Sequence, residues 1–379
     1  MTSKERMLIA MKNGKPDMVP VAPDISNMIP CKLTGKPFWD IYLYNNPPRW
    51  KAYIDAVRYF GFDGWLESVP NVFEDEPVSE YKKENVIVFK SDEKIITREY
   101  MEKEKRKKEW SEFVTVYYKD NPPVSLKASK IGMASIPRKF YPIEGIKPQK
   151  KDLKILKEVK EYMGEDGVVG IFIAPPFLDQ PNRKRYSVYD YYDRYNEVKE
   201  WSLRKEEEAI KRLKKILSAP IKPDFILTGG SGCLINHTPA ILGDVMLPCL
   251  QKITKMCKDA GIPSQIHCCG PEKEMVKICA QKTDLSSINP LETPPMGDCN
   301  LREIKQEYGK KLSLMGNLHT TDIMLKGTPE VVEKASKKAI DDGGEGGGFI
   351  LSTGDQCGRD TPEENIFKMI EVARNYGKY

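Results

Sequence analysis

The sequence lacks the features that define several classes of protein. No uninterrupted apolar run approaches the ~20 residues that a membrane-spanning helix needs, and no GxGxxG turn follows the first predicted strand. The N-terminal segment scatters charges among its apolar positions and has no small-residue cleavage site, which is not the pattern of a secretion signal. We therefore expect a cytoplasmic protein that neither spans a membrane nor binds a dinucleotide through a Rossmann turn.

The charge pattern shows no basic stripe of the kind that binds nucleic acid. The chain has 60 Lys and Arg against 55 Asp and Glu, and the two signs alternate in segments such as KEEEAIKRLKK, as on solvated helix faces. Nucleic acid is therefore not an expected partner.

Nine cysteines in a chain of 379 residues with no secretion signal are expected to be buried fillers or metal ligands. The oligomeric state stays open, with a homodimer one of the alternatives.

Buried apolar strands alternate with amphipathic helices along most of the chain. Because single helices separate the strands, the pattern predicts right-handed parallel crossovers, and eight such units favour a closed (β/α)₈ TIM barrel over an open sheet. The predicted fold class is therefore α/β, with residues 1–379 forming one barrel domain. The eight strands are predicted at residues 18–25, 62–69, 167–177, 223–232, 264–270, 285–292, 311–318 and 348–354.

Residues 71–130 interrupt this rhythm after the second strand. Segments such as SEFVTVYYKDNPP alternate apolar and polar residues between turn signals, which predicts an antiparallel insertion. Four of its aromatic residues either cover the mouth of the barrel and shape a pocket, or pack into a small core of the insertion itself: Tyr100, Trp110, Tyr117 and Tyr118.

A candidate metal site follows from the rule that reactive groups in such barrels lie at the carboxyl ends of the strands. Side chains alternate along a strand, so His267 and Cys269 share one face at the end of the fifth strand and Cys268 lies on the other. Cys357, just beyond the eighth strand, can supply a third ligand at the same mouth. Imidazole and thiolate ligands suit zinc. The alternative is that these residues are ordinary core cysteines and a core histidine.

Further polar residues follow other strands. Glu292 could fill a fourth metal position until substrate displaces it, or could bind substrate or a lysine instead. His319 and Asn317 follow the seventh strand and could orient a substrate, although a histidine there could equally cap a helix. His237 is a weaker candidate, because its neighbours suit the cap of the next helix.

Several segments resemble the uroporphyrinogen decarboxylase superfamily, and within it the zinc methyltransferases that work with corrinoid proteins. These are ERMLIAMKNGKPDMVPV, HCCG, INPLE, EYGKKLSLMGNL and GDQCGRDTPEENI, which occur in the family's order. The resemblance covers most of the chain except roughly residues 71–165. The family's His-x-Cys…Cys zinc motif maps onto His267, Cys269 and Cys357, so the resemblance implies a zinc site there.

The decarboxylase branch fits less well. Those enzymes hold propionate groups with arginines and an aspartate after the first strand, and residues 13–48 contain no arginine. Asp24 is present without those neighbours and stays a candidate catalytic residue. Porphyrin decarboxylation uses no metal, so a zinc motif would be unexplained in a uroporphyrinogen decarboxylase.

The resemblance implies methyl transfer. In the related demethylases zinc acts as a Lewis acid on the methyl donor, and a cobalt(I) corrinoid on a partner protein takes the methyl group. In relatives that run in the reverse direction, the thiol coenzyme M takes the methyl from methylcobamide. Because the insertion could shape a pocket for a larger substrate, we expect O-demethylation of an aryl methyl ether. The alternatives are a methylcobamide:coenzyme M methyltransferase and a corrinoid- or zinc-binding protein without catalysis.

Overall fold

The computed structural model describes residues 1–69, 82–103, 107–147, 153–178 and 186–379. The chain divides into two compact units. Unit 1 contains Met1–Ser26, Val57–Pro70 and Leu156–Tyr379, and unit 2 contains Asn27–Ala56 and Asn71–Ile155. Within the described ranges, no helix combines the length and the apolar character that crossing a membrane demands.

The helices are α1 Ser3–Met11, α2 Met28–Leu33, α3 Phe38–Tyr42, α4 Arg49–Phe60, α5 Leu153–Met163, α6 Val188–Asp193, α7 Tyr195–Leu217, α8 Cys233–Asn236, α9 Pro239–Val245, α10 Leu247–Asp259, α11 Lys273–Lys282, α12 Leu301–Tyr308, α13 Pro329–Gly343 and α14 Glu363–Tyr376. The strands are β1 Gly64–Leu66, β2 Lys82–Lys90, β3 Lys94–Lys103, β4 Lys107–Tyr118, β5 Val124–Lys127, β6 Tyr141–Pro142, β7 Gly167–Phe172, β8 Phe225–Gly229, β9 Ser264–His267, β10 Ser287–Asn289, β11 Ser313–Leu318 and β12 Phe349–Thr353. Short 3₁₀ and π helices cover Ala128–Ile131 and Thr320–Leu325.

Unit 1 is built on a parallel sheet with the order β1-β7-β8-β9-β10-β11-β12. Every residue of β8 and of β12 is buried. Burial on both faces explains their apolar sequences, FILTG and FILST, because helices cover the outside of a parallel sheet while side chains fill the inside. Strand order follows chain order, as expected when each strand is joined to its neighbour by a helical crossover.

Residues 20–22 close the sheet into a barrel. On one side, Val21 forms a parallel bridge with Leu351 of β12, and the Leu351 N–H donates to the carbonyl of Pro20 at 2.9 Å. On the other side, the N–H of Asp63, next to β1, donates to the Val21 carbonyl at 2.8 Å. This segment is the eighth strand, although it is shorter than the predicted residues 18–25.

A buried ion network holds that closing segment in place. The carboxylate of Asp63 is fully buried and accepts hydrogen bonds from Arg6 Nη1 of α1 at 2.7 Å, from Arg374 Nη1 of α14 at 2.9 Å and from the Val21 N–H at 2.9 Å. One carboxylate therefore links the first helix, the last helix, the first strand and the closing segment. Two guanidinium groups and a backbone donor compensate for taking its charge out of water.

Unit 2 is an antiparallel sheet with the order β5-β4-β3-β2-β6. The four aromatic residues that the sequence placed either over the mouth or in a small core pack within unit 2 itself. The ring of Tyr100 lies 5.0 Å from that of Trp110, and Phe140 lies 5.3 Å from Trp110. Tyr117 packs against a cluster that contains Ile95, while Tyr118 packs against a second cluster. These contacts supply the small core that the sequence allowed as one alternative.

The predicted fold class, a (β/α)₈ barrel with an antiparallel insertion after the second strand, is confirmed. The antiparallel sheet extends beyond the predicted end at residue 130, because Tyr141–Pro142 adds an edge strand to β2. The first residues of the predicted insertion, 71–81, lie outside the described ranges.

Replacing Asp63 tests the ion network. Asp63→Ala should lower the free energy of unfolding by about 3–5 kcal/mol, because it leaves the buried Arg6 and the partly exposed Arg374 without their shared partner. Asp259→Ala, which removes an exposed ion pair to Lys255 at 2.9 Å, is the matched control and should cost at most about 0.5 kcal/mol. Denaturant unfolding measures both. Equal stability of the two variants would show that the network does not hold the barrel closed.

Candidate metal centre at the mouth of the barrel

Three possible metal ligands from opposite parts of the sheet meet at the carboxyl ends of the strands. His267 ends β9, Cys269 follows two residues later, and Asp355 follows β12 by two residues. One ligand atom from each lies within 4.8 Å of the others, and His267 Nε2 is 4.0 Å from Asp355 Oδ1. Across the described ranges this is the one such group of three. It contains two of the predicted ligands, together with an aspartate that the sequence analysis missed.

Burial sets the protonation of these ligands. It lowers the pKa of His267, which favours the neutral imidazole that a metal requires. Burial, together with the charge of Asp355, raises the pKa of the Cys269 thiol to about 11, although hydrogen bonds from Ser231 and Gly232 act in the opposite sense. The thiol therefore keeps its proton at neutral pH until a cation displaces it.

Asn289 orients the imidazole. It lies beside His267 in the register of β10 and β9, and its Nδ2 is 3.3 Å from His267 Nδ1. Its Oδ1 is buried and has no hydrogen-bond partner within the described part of the chain. With the amide assigned so that Oδ1 faces the ring, Oδ1 would accept the proton of Nδ1. Nε2, which faces Asp355, is then the free lone pair, as in metal sites where a polar neighbour fixes the histidine tautomer.

Cys357 is close to this group but not part of it. The residue is fully buried, and its N–H donates to the Asp24 carbonyl at 2.8 Å. Burial raises the pKa of its thiol to about 12. Asp24 is half-buried, and its N–H donates to Thr353 Oγ1 at 3.0 Å. Burial and the charge of Glu67 raise the pKa of Asp24 to about 8.

Glu292 and His319 flank the cluster. Glu292 accepts a hydrogen bond from the Gly270 N–H, and burial raises its pKa, while the charge of His319 lowers it. His319 caps the π helix, since its Nδ1 accepts from the N–H groups of Thr321 and Asp322 at 3.2 and 3.0 Å. Its Nε2 must then carry a hydrogen, and this buried donor has no hydrogen-bond partner among the residues described.

The remaining candidates lie elsewhere. Asn317 lines a separate cavity of about 380 Å³ with Thr293 and Asp298. Cys268 is fully buried, and its thiol interacts with Cys233.

Both ring nitrogens of His237 form hydrogen bonds with backbone groups of the protein. Nδ1 lies 2.8 Å from the Cys233 carbonyl, and Nε2 accepts from the Leu178 N–H at 3.2 Å. Its neighbour Thr238 caps α9 by accepting from the Ile241 N–H at 3.3 Å.

A cavity of about 270 Å³ opens beside His267. Phe172 and Leu227 form apolar parts of its wall, and Glu67 and Ser231 are among its polar groups. Burial and the charge of Asp355 raise the pKa of Glu67. The size of the cavity suits a small molecule whose reacting atom lies next to the candidate metal ligands.

The combination of a (β/α)₈ barrel with nitrogen, sulfur and oxygen ligands at its mouth defines a class of candidate metalloenzymes. Residues 194–376 match the family described as Uroporphyrinogen decarboxylase (URO-D). This match to the URO-D family over residues 194–376 confirms the family resemblance drawn from the sequence.

Two curated relatives are similar to part of the chain. The methylcobamide:CoM methyltransferase MtbA of Methanosarcina mazei is 32% identical over 132 residues, which are 34% of this chain and 35% of the relative. MtbA of Methanosarcina acetivorans is 31% identical over 130 residues, with the same coverage of 34% and 35%. The matches thus span about a third of these relatives. A solved methyltransferase from Methanosarcina mazei is similar in fold, with a TM-score of 0.62 at 15% identity over 99% of each chain.

The role of Asn289 can be tested by metal affinity. Asn289→Leu removes the acceptor for His267 Nδ1 at similar volume and should weaken zinc binding about 10- to 100-fold. Asn289→Asp keeps an acceptor and should bind zinc within a few-fold of the wild-type protein. Competition with a chelator measures both affinities. Wild-type affinity in the leucine variant would contradict this role.

Proposed function

We propose that the protein is a zinc-dependent methyltransferase that moves a methyl group between a corrinoid, carried by a partner protein, and a small substrate. The observation that carries the proposal is the convergence of His267, Cys269 and Asp355 at the mouth of a URO-D-family barrel. The fold similarity to a solved methyltransferase and the two MtbA relatives are consistent with it.

The residues at the mouth fit a zinc ion. Imidazole, thiolate and carboxylate are all zinc ligands, and a three-ligand set leaves a coordination position for substrate. Bound zinc would supply a Lewis acid that makes a thiol more acidic or stabilises a leaving oxygen or nitrogen. Asn289 would orient His267, and the cavity beside it would hold the small substrate.

His319 and Glu292 are proposed to act on the substrate side of the site. The Nε2–H of His319, which makes no hydrogen bond to any described residue, is a donor available to a polar substrate atom. Glu292 is anchored by the Gly270 N–H and is close enough to His319 and Asp355 for their charges to affect its pKa. Burial that raises this pKa makes the carboxyl group a better proton acceptor than an exposed glutamate.

The relatives favour methyl transfer from methylcobamide to coenzyme M over the aryl methyl ether demethylation expected from the sequence. Both curated relatives are methylcobamide:CoM methyltransferases. The aromatic residues of the insertion, on which the demethylase expectation rested, pack with residues of their own unit. We therefore propose transfer from a methylated corrinoid to a thiol as the main function.

One observation keeps demethylation as a second candidate. Coenzyme M carries a sulfonate, which needs a cationic partner when it is taken out of water. Among the described residues that line the cavity beside His267 there is no lysine or arginine, whereas Glu67 is present. A neutral thiol or a neutral methyl donor would fit this wall better than an anion does.

Cobalamin spectroscopy tests the proposal and separates the two directions. Zinc-loaded protein should demethylate methylcobalamin when coenzyme M or the neutral thiol 2-mercaptoethanol is added, and zinc-free protein should not. Methoxyarenes should leave cobalt(I) cobalamin unchanged. Methylation of cobalt(I) by an ether, without thiol-dependent demethylation, would reverse the direction. No zinc-dependent change in either assay would contradict methyl transfer.

A further inference from the structure

The loops that follow β9 and β10 are joined by a reciprocal pair of hydrogen bonds. The Gly270 N–H, after β9, donates to Glu292 Oε2 of the other loop. The Leu291 N–H, after β10, donates to Glu272 Oε2 of the first loop at 2.6 Å. We propose that Glu272 is a positioning residue, which holds Glu292 in place at the mouth of the barrel. This inference rests on the substrate role given to Glu292 in the proposed function.

Glu272 supplies the acceptor for a part of the second loop that has an unusual backbone. Leu291 has a φ of +60°, in the left-handed region that residues with side chains rarely adopt. Such a conformation persists only where surrounding contacts hold it. Pro290 has no N–H, so the Leu291 N–H is the first backbone donor after β10. Because Leu291 directly precedes Glu292, holding its peptide group also fixes the point from which the Glu292 side chain extends.

The surroundings of Glu272 suit a hydrogen-bond acceptor better than a charged group. The residue is fully buried. Burial and the nearby Cys268 raise the pKa of Glu272 well above its usual range, which favours the neutral acid. A neutral carboxyl group still accepts from the Leu291 N–H, and it does not repel the carboxylate of Glu292.

The second oxygen of Glu272 shows what this residue costs. Oε1 is buried and has no hydrogen-bond partner in the part of the chain that the structure describes. An apolar side chain of the same size would avoid that cost, but it would leave the Leu291 N–H without its acceptor. The need for that acceptor explains a glutamate at this buried position.

Asp298, in the loop after β10, fixes the backbone of Glu272. Its Oδ1 accepts from the N–H groups of Glu272 and Lys273 at 2.8 and 3.0 Å. These donors lie at the start of α11, where N–H groups lack partners inside the helix. The same loop is tied at Glu292, whose carbonyl accepts from the Cys299 N–H at 3.0 Å. The side chain of Glu272 therefore extends from a backbone that the second loop already holds.

The position of Glu292 matters because a proton acceptor must lie within hydrogen-bond reach of its substrate. The Gly270 N–H binds Oε2 of Glu292, and among the described residues no hydrogen bond reaches Oε1. Oε1 is therefore the oxygen left for a substrate. A displacement of about 1 Å in a positioned group can cost about 100-fold in rate. We expect the loss of Glu272 to lower turnover through Glu292.

The methylcobalamin assay measures this effect. Glu272→Leu removes the acceptor at similar volume and should lower kcat about 10- to 100-fold. Glu272→Gln keeps a carbonyl oxygen and should stay within a few-fold of wild type. Glu274→Leu, on the same helix, removes an ion pair to Lys277 at 3.4 Å and is the matched control, with wild-type turnover expected. A glutamine variant as slow as the leucine variant would overturn the proposal.

Hydrogen exchange of the zinc-free protein, read by mass spectrometry at residue resolution, tests the same contact without catalysis. Glu272→Leu should speed exchange at Gly270 about tenfold or more, because a displaced Glu292 no longer accepts from that N–H. Exchange at Cys268, whose N–H donates to the Asn289 carbonyl at 2.9 Å, should stay at the wild-type rate. Unchanged exchange at Gly270, or faster exchange at both residues, would overturn the proposal.

The two measurements separate this inference from the proposed function. Wild-type protein without zinc-dependent turnover would reject the proposed function, whereas exchange at Gly270 would still decide whether Glu272 holds Glu292. Glu272→Met, which is close to glutamate in shape but lacks its oxygens, replaces the leucine variant if that variant does not fold.

Discussion

The site depends on closure of the barrel, and closure depends on one buried carboxylate. Asp63 binds Arg6, Arg374 and the Val21 N–H at the same time, and so fixes the short segment that lies between the first and last strands of the sheet. Once that segment is in place, Asp24 and the loop after β12 lie at the mouth. A substitution far from the candidate ligands can therefore remove the site by opening the sheet.

Much of this architecture could be predicted because it depends on periodicity. Apolar strands buried on both faces, separated by single helices, indicate a parallel barrel from local sequence alone. The rule that functional groups follow the carboxyl ends of strands then selected His267 and Cys269, which the structure brings together. The closing strand was predicted too long, since the backbone hydrogen bonds that join it to Leu351 and to Asp63 involve residues 20–22.

The missed residues depend on information that a single sequence does not display. Asp355 reaches the cluster through a positive φ, which is common for glycine but is not expected of an aspartate. Asn289 acts through its register with His267 in the adjacent strand, so its role requires knowing which residues are paired. The sequence offered helix capping and substrate orientation as alternative roles for His319. In the structure Nδ1 caps a helix, and the buried Nε2–H stays available as a donor to substrate. For the insertion, strand alternation predicted the antiparallel pairing but could not tell which neighbours its aromatic residues would contact.

The proposed methyl transfer requires one metal ion at the mouth of this barrel. The most direct test measures the zinc content and the rate of methylcobalamin demethylation in the same preparations of wild-type protein and of Cys269→Ala. We expect about one zinc per chain and thiol-dependent turnover in the wild type, with both lost in Cys269→Ala and neither lost in Cys268→Ala, because the Cys268 thiol interacts with Cys233. Turnover at the wild-type rate in a zinc-free Cys269→Ala protein would contradict it.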